Sequence, residues 1–405
     1  MTINNTHEAW LADKRGMSGG FLSQTVTMPE SDGAVLPMAL IAQFEENGIY
    51  EFKPIPGKLA DFTQTVANYM KLRGMPNKDK RLAIYYYKGA GTGPLVAWGT
   101  EVIPSLYNIL KRLKKEGYTV KNLPDNLKDF EIYVMKSGPL FGSYAEGSIR
   151  NYMESDYPAL VDAEDYDRWL KEKLMPSVYE ELIRIHGYPP GNYMCAEKGG
   201  RAYIGVPKVD FGNIVLLPQP IQGTGSNSFA AVHGANPMPP HSYIASYLWV
   251  QNDFKADVLL HFGTHGSLEF IPGKQIGLSA YDWTDRLTTP LPHIYPYSLG
   301  DVGEAMIAKR RSYGVTVSHL TPPFIPSDLR KTTDRLLEKL GDYLSAEKED
   351  AALSAEIREI VLKSGFDKDL RLDSVSGRPY SRSEAEEIQN FAEEVVTSKI
   401  TGGLH

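Results

Sequence analysis

Hydrophobic residues are arranged in two ways along the chain. Some segments are short continuous apolar runs, and others repeat an apolar residue every three to four positions. Apolar residues recur every three to four positions over Asp61–Gly74 and over Pro104–Gly117, which predicts two amphipathic helices. A β-rich run at Arg81–Tyr87 lies between them and leads into a glycine-rich segment, Gly89–Gly93. A second short strand is expected at Glu131–Met135. Strand, glycine loop, helix and strand in this order are typical of a βαβ unit with parallel strands.

The second half of the chain repeats this alternation of strands and helices. The apolar run Ser242–Val250 predicts a buried helix, because the two prolines before it suit a first helical turn. The run Ala256–Leu260 predicts a buried strand, and Gly303–Tyr313 and Val315–Leu320 predict a further helix and strand. The sequence therefore predicts an α/β fold with several Rossmann-like or flavodoxin-like parallel-sheet modules and appended helical segments.

The composition of the chain changes along its length and indicates four parts. Its 405 residues are enough for about two to three domains. After Pro322 and Pro323 the sequence becomes charged, with a helical pattern. We expect the following division: an irregular N-terminal segment over 1–60, an α/β module over 61–200, an α/β module with a histidine- and glutamate-rich signature over 201–325, and a charged helical region over 326–405 that is truncated at its C-terminus.

Composition and charge narrow the class of protein. Hydrophobic residues make up 42% and charged residues 23% of the chain, which is typical of a globular protein. The formal net charge of −7 argues against a nucleic-acid-binding surface, which would be basic. The single cysteine, Cys195, excludes a disulfide scaffold and a cysteine-rich zinc site. No apolar run approaches the roughly 20 residues of a membrane helix, so we expect a cytoplasmic protein without a membrane segment.

Histidines concentrate in one part of the chain. Seven of the nine lie between His186 and His319, and the densest segment is His261-Phe-Gly-Thr-His265-Gly-Ser-Leu-Glu269. This segment follows a predicted buried strand, so it would lie at the carboxyl edge of a sheet, where open α/β folds bind ligands. Two imidazoles and a carboxylate match the ligands of a borderline metal ion. The alternative is that these side chains only hydrogen-bond the loop in place.

Six further residues carry groups that could complete such a site. His241 begins the helix predicted after the paired prolines, where a capping or packing role is the alternative. His319 ends a strand, where a hydrogen-bonded structural histidine is the alternative. Glu304 lies at a helix start, where the helix dipole favours a carboxylate in any case. The run Lys309-Arg310-Arg311 is either a solvated helix face or a binding site for ligand carboxylates.

The two glycine-rich segments do not match phosphate-binding motifs. Gly89–Gly93 lacks the full G-x-G-x-x-G spacing of a dinucleotide site. Gly223-Thr-Gly225 is not followed by the Lys-Ser/Thr pair of a Walker A loop. We therefore do not expect the chain to hydrolyse ATP by itself.

The run His261-Phe-Gly-Thr-His-Gly-Ser-Leu-Glu-Phe-Ile-Pro-Gly-Lys274 closely resembles the signature of the large subunit shared by cobaltochelatase (CobN) and magnesium chelatase (the H subunit). Flanking segments resemble the same family in the same order: Leu82–Tyr85, Pro104–Leu110, Pro240–His241, Tyr247–Trp249, Glu304, Ala308–Arg311 and His319–Pro323. The resemblance extends from about Gly20 to the end of the chain. Large subunits of this family are considerably longer, so we expect a central fragment or a truncated member.

The resemblance implies a tetrapyrrole-binding subunit that inserts a divalent metal ion, Co²⁺ or Mg²⁺ with Fe²⁺ as a further option, into a porphyrin or corrin ring. It implies that separate AAA+ partner subunits hydrolyse ATP. Metal insertion removes pyrrolic protons and needs a base, so His261, His265 and Glu269 would be the catalytic and metal-binding residues. The residues that would complete the macrocycle cavity or meet its carboxylate arms are His241, Glu304, His319, Lys309, Arg310 and Arg311.

Three alternatives stay open at this point. The chain could belong to a branch of the family that is linked to haem uptake and removes iron from haem. It could be a tetrapyrrole-binding module without catalysis. Independently of the resemblance, His261, His265 and Glu269 could form the site of a metal-dependent hydrolase.

Overall fold

The computed structural model describes most of the chain. The described residues are 1–87, 96–97, 100–141, 146–221, 238–263, 266–298, 302–319, 324–325, 330–345, 351–370, 372–374, 376–397 and 400–401. The chain divides into two compact units, Met1–Thr321 and Pro322–Leu404. Across the described residues, no helix is both long enough and apolar enough to span a lipid bilayer.

Helices occur along the whole of the described chain. In chain order, the α-helices are α1 (His7–Ala12), α2 (Gly19–Leu22), α3 (Met28–Ser31), α4 (Lys58–Gly74), α5 (Val102–Lys115), α6 (Leu127–Ser137), α7 (Glu146–Glu154), α8 (Ala163–Lys173), α9 (Pro176–His186), α10 (His241–Asn252), α11 (Trp283–Thr288), α12 (Val302–Arg311), α13 (Arg330–Ser345), α14 (Ala351–Ser364), α15 (Phe366–Asp369) and α16 (Arg382–Thr397). Shorter helical turns are a π-helical turn at Ser23–Thr27 and 3₁₀ turns at Asn77–Asp79 and Leu268–Phe270.

Strands of two to six residues lie between these helices. In chain order, they are β1 (Thr2–Thr6), β2 (Ile41–Glu46), β3 (Ile49–Pro54), β4 (Leu82–Tyr86), β5 (Val96–Ala97), β6 (Thr100–Glu101), β7 (Ala159–Asp162), β8 (Cys195–Lys198), β9 (Arg201–Val206), β10 (Val209–Asp210), β11 (Ile214–Pro218), β12 (Val258–Phe262), β13 (His293–Ser298), β14 (Val315–His319), β15 (Phe324–Ile325) and β16 (Ile400–Thr401).

A six-stranded sheet forms the centre of the first unit, with its strands in the order β10–β11–β4–β12–β13–β14. Neighbouring strands are parallel except for the edge pair of β10 and β11. Strand β4, from the predicted module 61–200, lies between β11 and β12, from the predicted module 201–325. Both segments therefore build one sheet. The α/β class predicted from the sequence is confirmed.

Helices cover both faces of this sheet. On β4, Ala83 and Tyr85 belong to a core with α8, α9 and α10, whereas Ile84 and Tyr86 pack with α5 and α6. Successive strand residues point to opposite faces, so both faces need apolar side chains. This explains why the strand reads as a continuous apolar run and not as an alternating one.

The first two residues of the signature, His261 and Phe262, belong to strand β12. It runs through His261 to Phe262, two residues beyond the strand predicted at Ala256–Leu260. His261 therefore lies within the sheet, with its side chain on the face covered by α10, and not in the loop after the strand. This placement accounts for its exposure of only 1%.

The strand predicted at Glu131–Met135 is wrong, because this segment is helical within α6. Asn126 caps the helix, and its side-chain oxygen accepts a hydrogen bond from the Asp129 N–H at 2.9 Å. Phe130 and Val134, one helical turn apart, are buried. The β-prone composition of the segment concealed this helical face.

The N-terminal segment contains short helices and a three-stranded sheet in the order β1–β2–β3. Trp10 of α1 is 1% exposed, and its indole N–H donates to the Gly277 carbonyl at 2.9 Å. The ammonium group of Lys274 donates to three backbone carbonyls at the end of α1, at 2.6 to 3.0 Å. A helix end leaves such carbonyls without intrahelical partners. These bonds attach the N-terminal segment to the chain directly after the signature.

The second unit has its own apolar core. Its buried residues are Leu336, Leu340, Tyr343, Ile357, Val361, Phe366, Tyr380, Ala385, Ile388 and Ala392. Most of them come from α13, α14 and α16, whose apolar positions recur with helical spacing. The Tyr343 hydroxyl donates to the Tyr380 carbonyl at 2.8 Å and satisfies a polar group inside this core.

Candidate functional site

A row of stacked rings crosses three strands of the central sheet. Tyr85 of β4, His261 of β12 and Tyr295 of β13 lie side by side, with centroids 5.2 Å apart in both neighbouring pairs. The register explains the stacking, because His261 pairs directly with Tyr85 across the parallel ladder. Tyr247 of α10 stacks on Tyr85 with centroids 4.6 Å apart. Each of these four side chains is at most 1% exposed, so the cluster is dry.

Both ring nitrogens of His261 are hydrogen-bonded within this cluster. Its Nδ1 lies 2.6 Å from His293 Nε2, and its Nε2 lies 3.0 Å from the Tyr247 hydroxyl. The other nitrogen of His293, Nδ1, lies 2.8 Å from the Ser312 carbonyl oxygen. A carbonyl only accepts, so neutral His293 carries its proton on Nδ1 and accepts at Nε2 from His261 Nδ1–H. Tyr247 then donates to His261 Nε2.

Burial keeps both imidazoles neutral. It lowers the pKa of His261 well below the ordinary value of 6.5, and the neighbouring His293 lowers that pKa further. Burial also lowers the pKa of His293 to about 4, against the opposing effect of the Ser312 carbonyl. A neutral imidazole accepts a hydrogen bond at one ring nitrogen and donates a hydrogen bond from the other. Two such rings in series therefore form a hydrogen-bonded path.

Glu269 lies in the 3₁₀ turn Leu268–Phe270, a few residues after the end of β12. Its side chain is fully buried. Its Oε1 accepts hydrogen bonds from the Gly266 N–H at 2.8 Å and from the Tyr295 hydroxyl at 3.0 Å. Glycine at 266 leaves room for these groups, because a Cβ there would lie 2.9 Å from Glu269 Oε2 and from the Tyr295 hydroxyl oxygen and would force them to move. The turn thus brings the carboxylate to the ring cluster that contains His261.

The hydroxyl of Tyr295 is a fixed hydrogen-bond donor. Burial raises the pKa of Tyr295 well above its ordinary value of 10, and the charge of Glu269 raises it further. The hydroxyl therefore stays protonated and donates to the carboxylate. Burial raises the pKa of Tyr247 in the same way, with smaller contributions from Tyr243 and Tyr85. Burial thus keeps the hydroxyls of Tyr247 and Tyr295 protonated, so both can donate hydrogen bonds.

The side chains of two of the three residues in the basic run, Arg310 and Arg311, interact with other groups of the protein. Arg310 forms an ion pair with Glu30, with 2.7 Å between Nη2 and Oε2. Arg311, which is 8% exposed, donates to the Ile271 carbonyl, directly after the 3₁₀ turn. Lys309 is half-buried on α12. Arg311 therefore supports the turn that carries the signature carboxylate.

Arg311 also brings a positive charge towards the turn. Burial lowers the pKa of Arg311, and the carboxylates of Asp282 and Glu269 oppose this shift. The guanidinium remains charged because its ordinary pKa is above 12.

Glu304 and His319 lie on elements next to the ring cluster. The Tyr297 hydroxyl donates to Glu304 Oε2 at 3.4 Å. The ring of Tyr297 packs against Tyr295 with centroids 4.9 Å apart, so Glu304 connects to the cluster through two tyrosines. His319 is the last residue of β14, is half-buried, and pairs with Ser298 of β13.

His241 has a different set of contacts. Its Nε2 lies 2.9 Å from the Gly187 carbonyl, and its Nδ1 lies 3.1 Å from the Tyr166 hydroxyl. Because the carbonyl accepts, neutral His241 carries its proton on Nε2 and accepts from Tyr166 at Nδ1. Burial lowers the pKa of His241, and the Gly187 carbonyl opposes the shift. These bonds hold the start of α10 against the preceding segment, as the packing alternative expects.

His265 lies outside the described residues, as does Thr264. In the part of the chain that the structure describes, no three His, Cys, Asp or Glu side chains are grouped to hold a metal ion. His261 and Glu269 do approach the same point. The position of a Cβ on Gly266 would lie 3.3 Å from His261 Cδ2 and 2.9 Å from Glu269 Oε2.

A comparison with known proteins identifies the family. The family model described as CobN/Magnesium Chelatase matches residues 1–405. The chain belongs to this family. It is 29% identical over 376 residues to the H subunit of magnesium chelatase from Rhodobacter capsulatus, covering 86% of this chain and 30% of that protein. It is 26% identical over 415 residues to the CobN subunit of aerobic cobaltochelatase from a Sinorhizobium species, covering 98% of this chain and 31% of that protein.

A solved structure supports the same assignment for the fold. The catalytic subunit of cobaltochelatase from Mycobacterium tuberculosis matches with a TM-score of 0.71 and 25% sequence identity. The match covers 100% of this chain and 34% of that chain. This chain therefore spans about a third of the length of the CobN/magnesium chelatase proteins to which it is compared.

In this member of the CobN/magnesium chelatase family, the residues that sequence reasoning missed come from α10 and β13. His293 is one of the clustered histidines, but nothing in the sequence relates it to His261. Tyr295 also escapes notice, since buried tyrosines are common in cores, and Tyr247 was noted only as part of the flanking segment Tyr247–Trp249. One signal does exist. His293, Tyr295 and Tyr297 occupy every second position of β13, which places all three on one face.

Proposed function

We propose that this chain is part of the large subunit of a metal chelatase, where it binds a tetrapyrrole and supplies groups for metal insertion. The substrates are a porphyrin or corrin ring and a divalent metal ion, Co²⁺ or Mg²⁺. Membership of the CobN/magnesium chelatase family supports this proposal. The observation that carries it is the fully buried carboxylate of Glu269, a residue of the signature. This carboxylate accepts hydrogen bonds from the Gly266 N–H and from the Tyr295 hydroxyl.

The reaction explains why such a carboxylate is useful. Metal insertion removes protons from pyrrole nitrogens, so a base close to the ring lowers the barrier. Fixed hydrogen-bond donors preorganise the carboxylate for this role, because they set its orientation before the reaction begins. We assign Glu269 as base or metal contact, together with His265 of the same signature.

His261 is better suited to handling a proton than to binding the metal ion. A metal ion binds a lone pair on imidazole nitrogen, and both nitrogens of His261 are within hydrogen-bond distance of Tyr247 or His293. Ligation at Nε2 would displace the Tyr247 hydroxyl inside a dry cluster, which costs a buried hydrogen bond. We therefore propose proton handling for His261.

The other predicted residues are assigned according to their contacts. Glu304 connects to the ring cluster through Tyr297, so we propose it for the macrocycle cavity. His319 is proposed for the same cavity from its position at the end of β14. Lys309 is proposed to meet a carboxylate arm, since Arg310 and Arg311 already bind protein groups. His241 supports the cavity through the start of α10.

The energy for insertion is proposed to come from AAA+ ATPase partner subunits. The sequence carries no Walker A loop, because Gly223-Thr-Gly225 is not followed by Lys-Ser/Thr. The chain would then contribute the macrocycle and metal chemistry, and its partners would contribute ATP hydrolysis.

The experiment that tests the proposal is a titration of the chain with a metal-free porphyrin, a metal-free corrin and haem, followed by absorbance and tryptophan fluorescence. Saturable binding of one macrocycle supports the proposal and identifies the ring. Glu269→Gln should retain this binding and abolish metal insertion when ATPase partners and metal are supplied. Glu116→Gln, on an exposed helix end, is the matched control and should leave both unchanged.

Three results would count against the proposal. Failure of all three macrocycles to bind would contradict it. Metal insertion at an unchanged rate in Glu269→Gln would remove Glu269 from the chemistry. Loss of iron from haem, in place of insertion, would reverse the direction of the proposed reaction.

A further inference from the structure

Three alternate residues on one face of β13 each contact a different residue predicted for the site. His293 lies 2.6 Å from His261, through Nε2 and Nδ1. The Tyr295 hydroxyl donates to Glu269 Oε1 at 3.0 Å. The Tyr297 hydroxyl donates to Glu304 Oε2 at 3.4 Å. A single strand thus contacts three site residues that come from three other elements.

Strand geometry produces this arrangement. Side chains at every second position of a strand share a face and repeat at roughly 7 Å along it. The parallel register places Leu259 of β12 beside His293, so the side chains of His261 and Tyr295 meet two residues further along. The turn that carries Glu269 and the helix that carries Glu304 then approach the same face of β13.

We propose that this face of β13, formed by His293, Tyr295 and Tyr297, is the positioning element of the site, and that Tyr295 holds the Glu269 carboxylate in its reactive orientation during metal insertion. This inference rests on the proposed function. Tyr295 is a positioning residue here, because it acts through Glu269 and not on the macrocycle or the metal ion. Supporting groups of this kind determine how precisely a reactive group is held.

Tyr295 is suited to this role by its rigidity. Its ring is fully buried and packs between His261 and Tyr297, with centroids 5.2 Å and 4.9 Å away. The hydroxyl and the Gly266 N–H converge on the same carboxylate oxygen. Two donors on one oxygen restrict rotation of the carboxylate, and the packed ring prevents the hydroxyl from following it.

A purely structural role for Tyr295 has to be separated from a positioning role. Tyr86 provides the matched control, because it is also a fully buried tyrosine of the same sheet with a hydrogen-bonded hydroxyl. Its hydroxyl donates to the Gly138 carbonyl at 3.2 Å, on the face covered by α5 and α6. Tyr86→Phe therefore removes an equivalent buried hydrogen bond without touching Glu269.

The test compares Tyr295→Phe with Tyr86→Phe in four measurements: the melting temperature, the Kd for the macrocycle, the kcat and KM for the metal ion with ATPase partners, and hydrogen exchange over 266–271. Both variants should melt at similarly lowered temperatures. Tyr295→Phe alone should lower kcat/KM for the metal ion by about tenfold or more, as expected for a lost supporting hydrogen bond. Its Kd for the macrocycle should stay within about twofold of the wild type. Its Gly266 amide should exchange faster, since the acceptor of that N–H is no longer held.

The outcomes separate this inference from the proposed function. If the wild type inserts metal and Tyr295→Phe matches Tyr86→Phe in kinetics, the inference is overturned and the proposed function stands. If the wild type shows no macrocycle binding, the proposed function fails, and hydrogen exchange still decides whether Tyr295 holds Glu269. Equal protection of Gly266 in both variants would overturn that part as well.

Discussion

Nδ1 of His261 lies 2.6 Å from Nε2 of His293, and each ring is only 1% exposed. The contact links adjacent strands of a parallel sheet, and its direction is set at the far end by the Ser312 carbonyl. Tyr247 completes the path at the near end by donating to His261. Every hydrogen bond along this path therefore has a defined donor and a defined acceptor.

The first prediction concerns the tautomers of this pair. Both rings should be neutral and carry the proton on Nδ1 at pH 7, because the Ser312 carbonyl can only accept. Long-range ¹H–¹⁵N correlation spectra of protein labelled with ¹⁵N-histidine measure this directly. His293→Gln keeps an acceptor near the Nε2 position and should preserve the His261 tautomer, whereas His293→Leu should not. A proton on Nε2 of His261 in the wild type would contradict the arrangement.

The second prediction concerns the space at Gly266. In Gly266→Ala, the new Cβ would lie 2.9 Å from Glu269 Oε2 and from the Tyr295 hydroxyl, so the carboxylate must move. We expect a loss of about 1–3 kcal/mol in the free energy of unfolding, typical of overpacking in a core. Under the proposed function, metal insertion should fall more than macrocycle binding.

Gly74→Ala is the control for this substitution. No atom lies within 4 Å of a Cβ built on Gly74, at the end of α4. Its effect on stability should stay within about 1 kcal/mol, since alanine is a better helix former than glycine. Equal effects of the two substitutions in chemical denaturation and in metal insertion would show that Gly266 has no special constraint.

Local pattern predicted much of the fold. The sequence pattern predicted β4, β12 and β14 to within two residues, and helical spacing predicted α4 and α5, because these elements bury a regular face. The strand prediction for Glu131–Met135 was wrong. The capping hydrogen bond of Asn126 and the burial of Phe130 and Val134 stabilise a helix there despite the β-prone composition. Local composition cannot reveal such competition.

The candidate site combines residues that are close in sequence with residues that are distant in sequence. The loop from His261 to Glu269 was identifiable because its residues are adjacent in sequence. Their partners are not, since Tyr85, Tyr247 and Tyr295 meet His261 only after β4, α10 and β13 have assembled. Strand order and register determine these contacts, and neither can be read from a single segment. The expectation that His261 lies in a loop failed for the same reason.

The third prediction concerns stability against pH. His293 has a pKa of about 4 in the folded protein and about 6.5 when unfolded, so only the unfolded chain takes up a proton between these values. Stability from this group is complete above pH 6.5 and is lost as the pH falls towards 4, by about 3 kcal/mol in total. His261 acts in the same direction.

Urea denaturation at several pH values measures this effect. The free energy of unfolding should decline between pH 6.5 and 4.5, and the decline should be smaller in His293→Gln. The tyrosines that contact the pair are Tyr69, Tyr85, Tyr247 and Tyr295, and none of them titrates in this range, because burial raises the pKa of each. Parallel curves for the wild type and the variant would show that His293 does not carry the pH dependence.

The fourth prediction concerns a buried ion pair that joins α4 to α11. The Lys58 ammonium group contacts Asp285 Oδ1, and the two side chains are 1% and 0% exposed. Asp285 also accepts from the Tyr313 hydroxyl at 2.6 Å and from Arg286. Burial alone would raise the pKa of Asp285, but the charges of Lys58 and Arg286 outweigh it and lower that pKa. The carboxylate therefore stays ionised inside the protein and depends on its cations.

Lys58→Met should cost about 3 kcal/mol of unfolding free energy or more, because it leaves Asp285 buried with less positive charge around it. Arg112→Met is the matched control, since Arg112 pairs with Glu116 at 2.8 Å while its side chain is 73% exposed. An exposed pair contributes about 0–1 kcal/mol, so this variant should remain close to the wild type. Denaturant midpoints at pH 7 separate the two cases. Similar losses in both variants would mean that the buried pair contributes no more than a surface one, and that the attachment of α4 depends on packing alone.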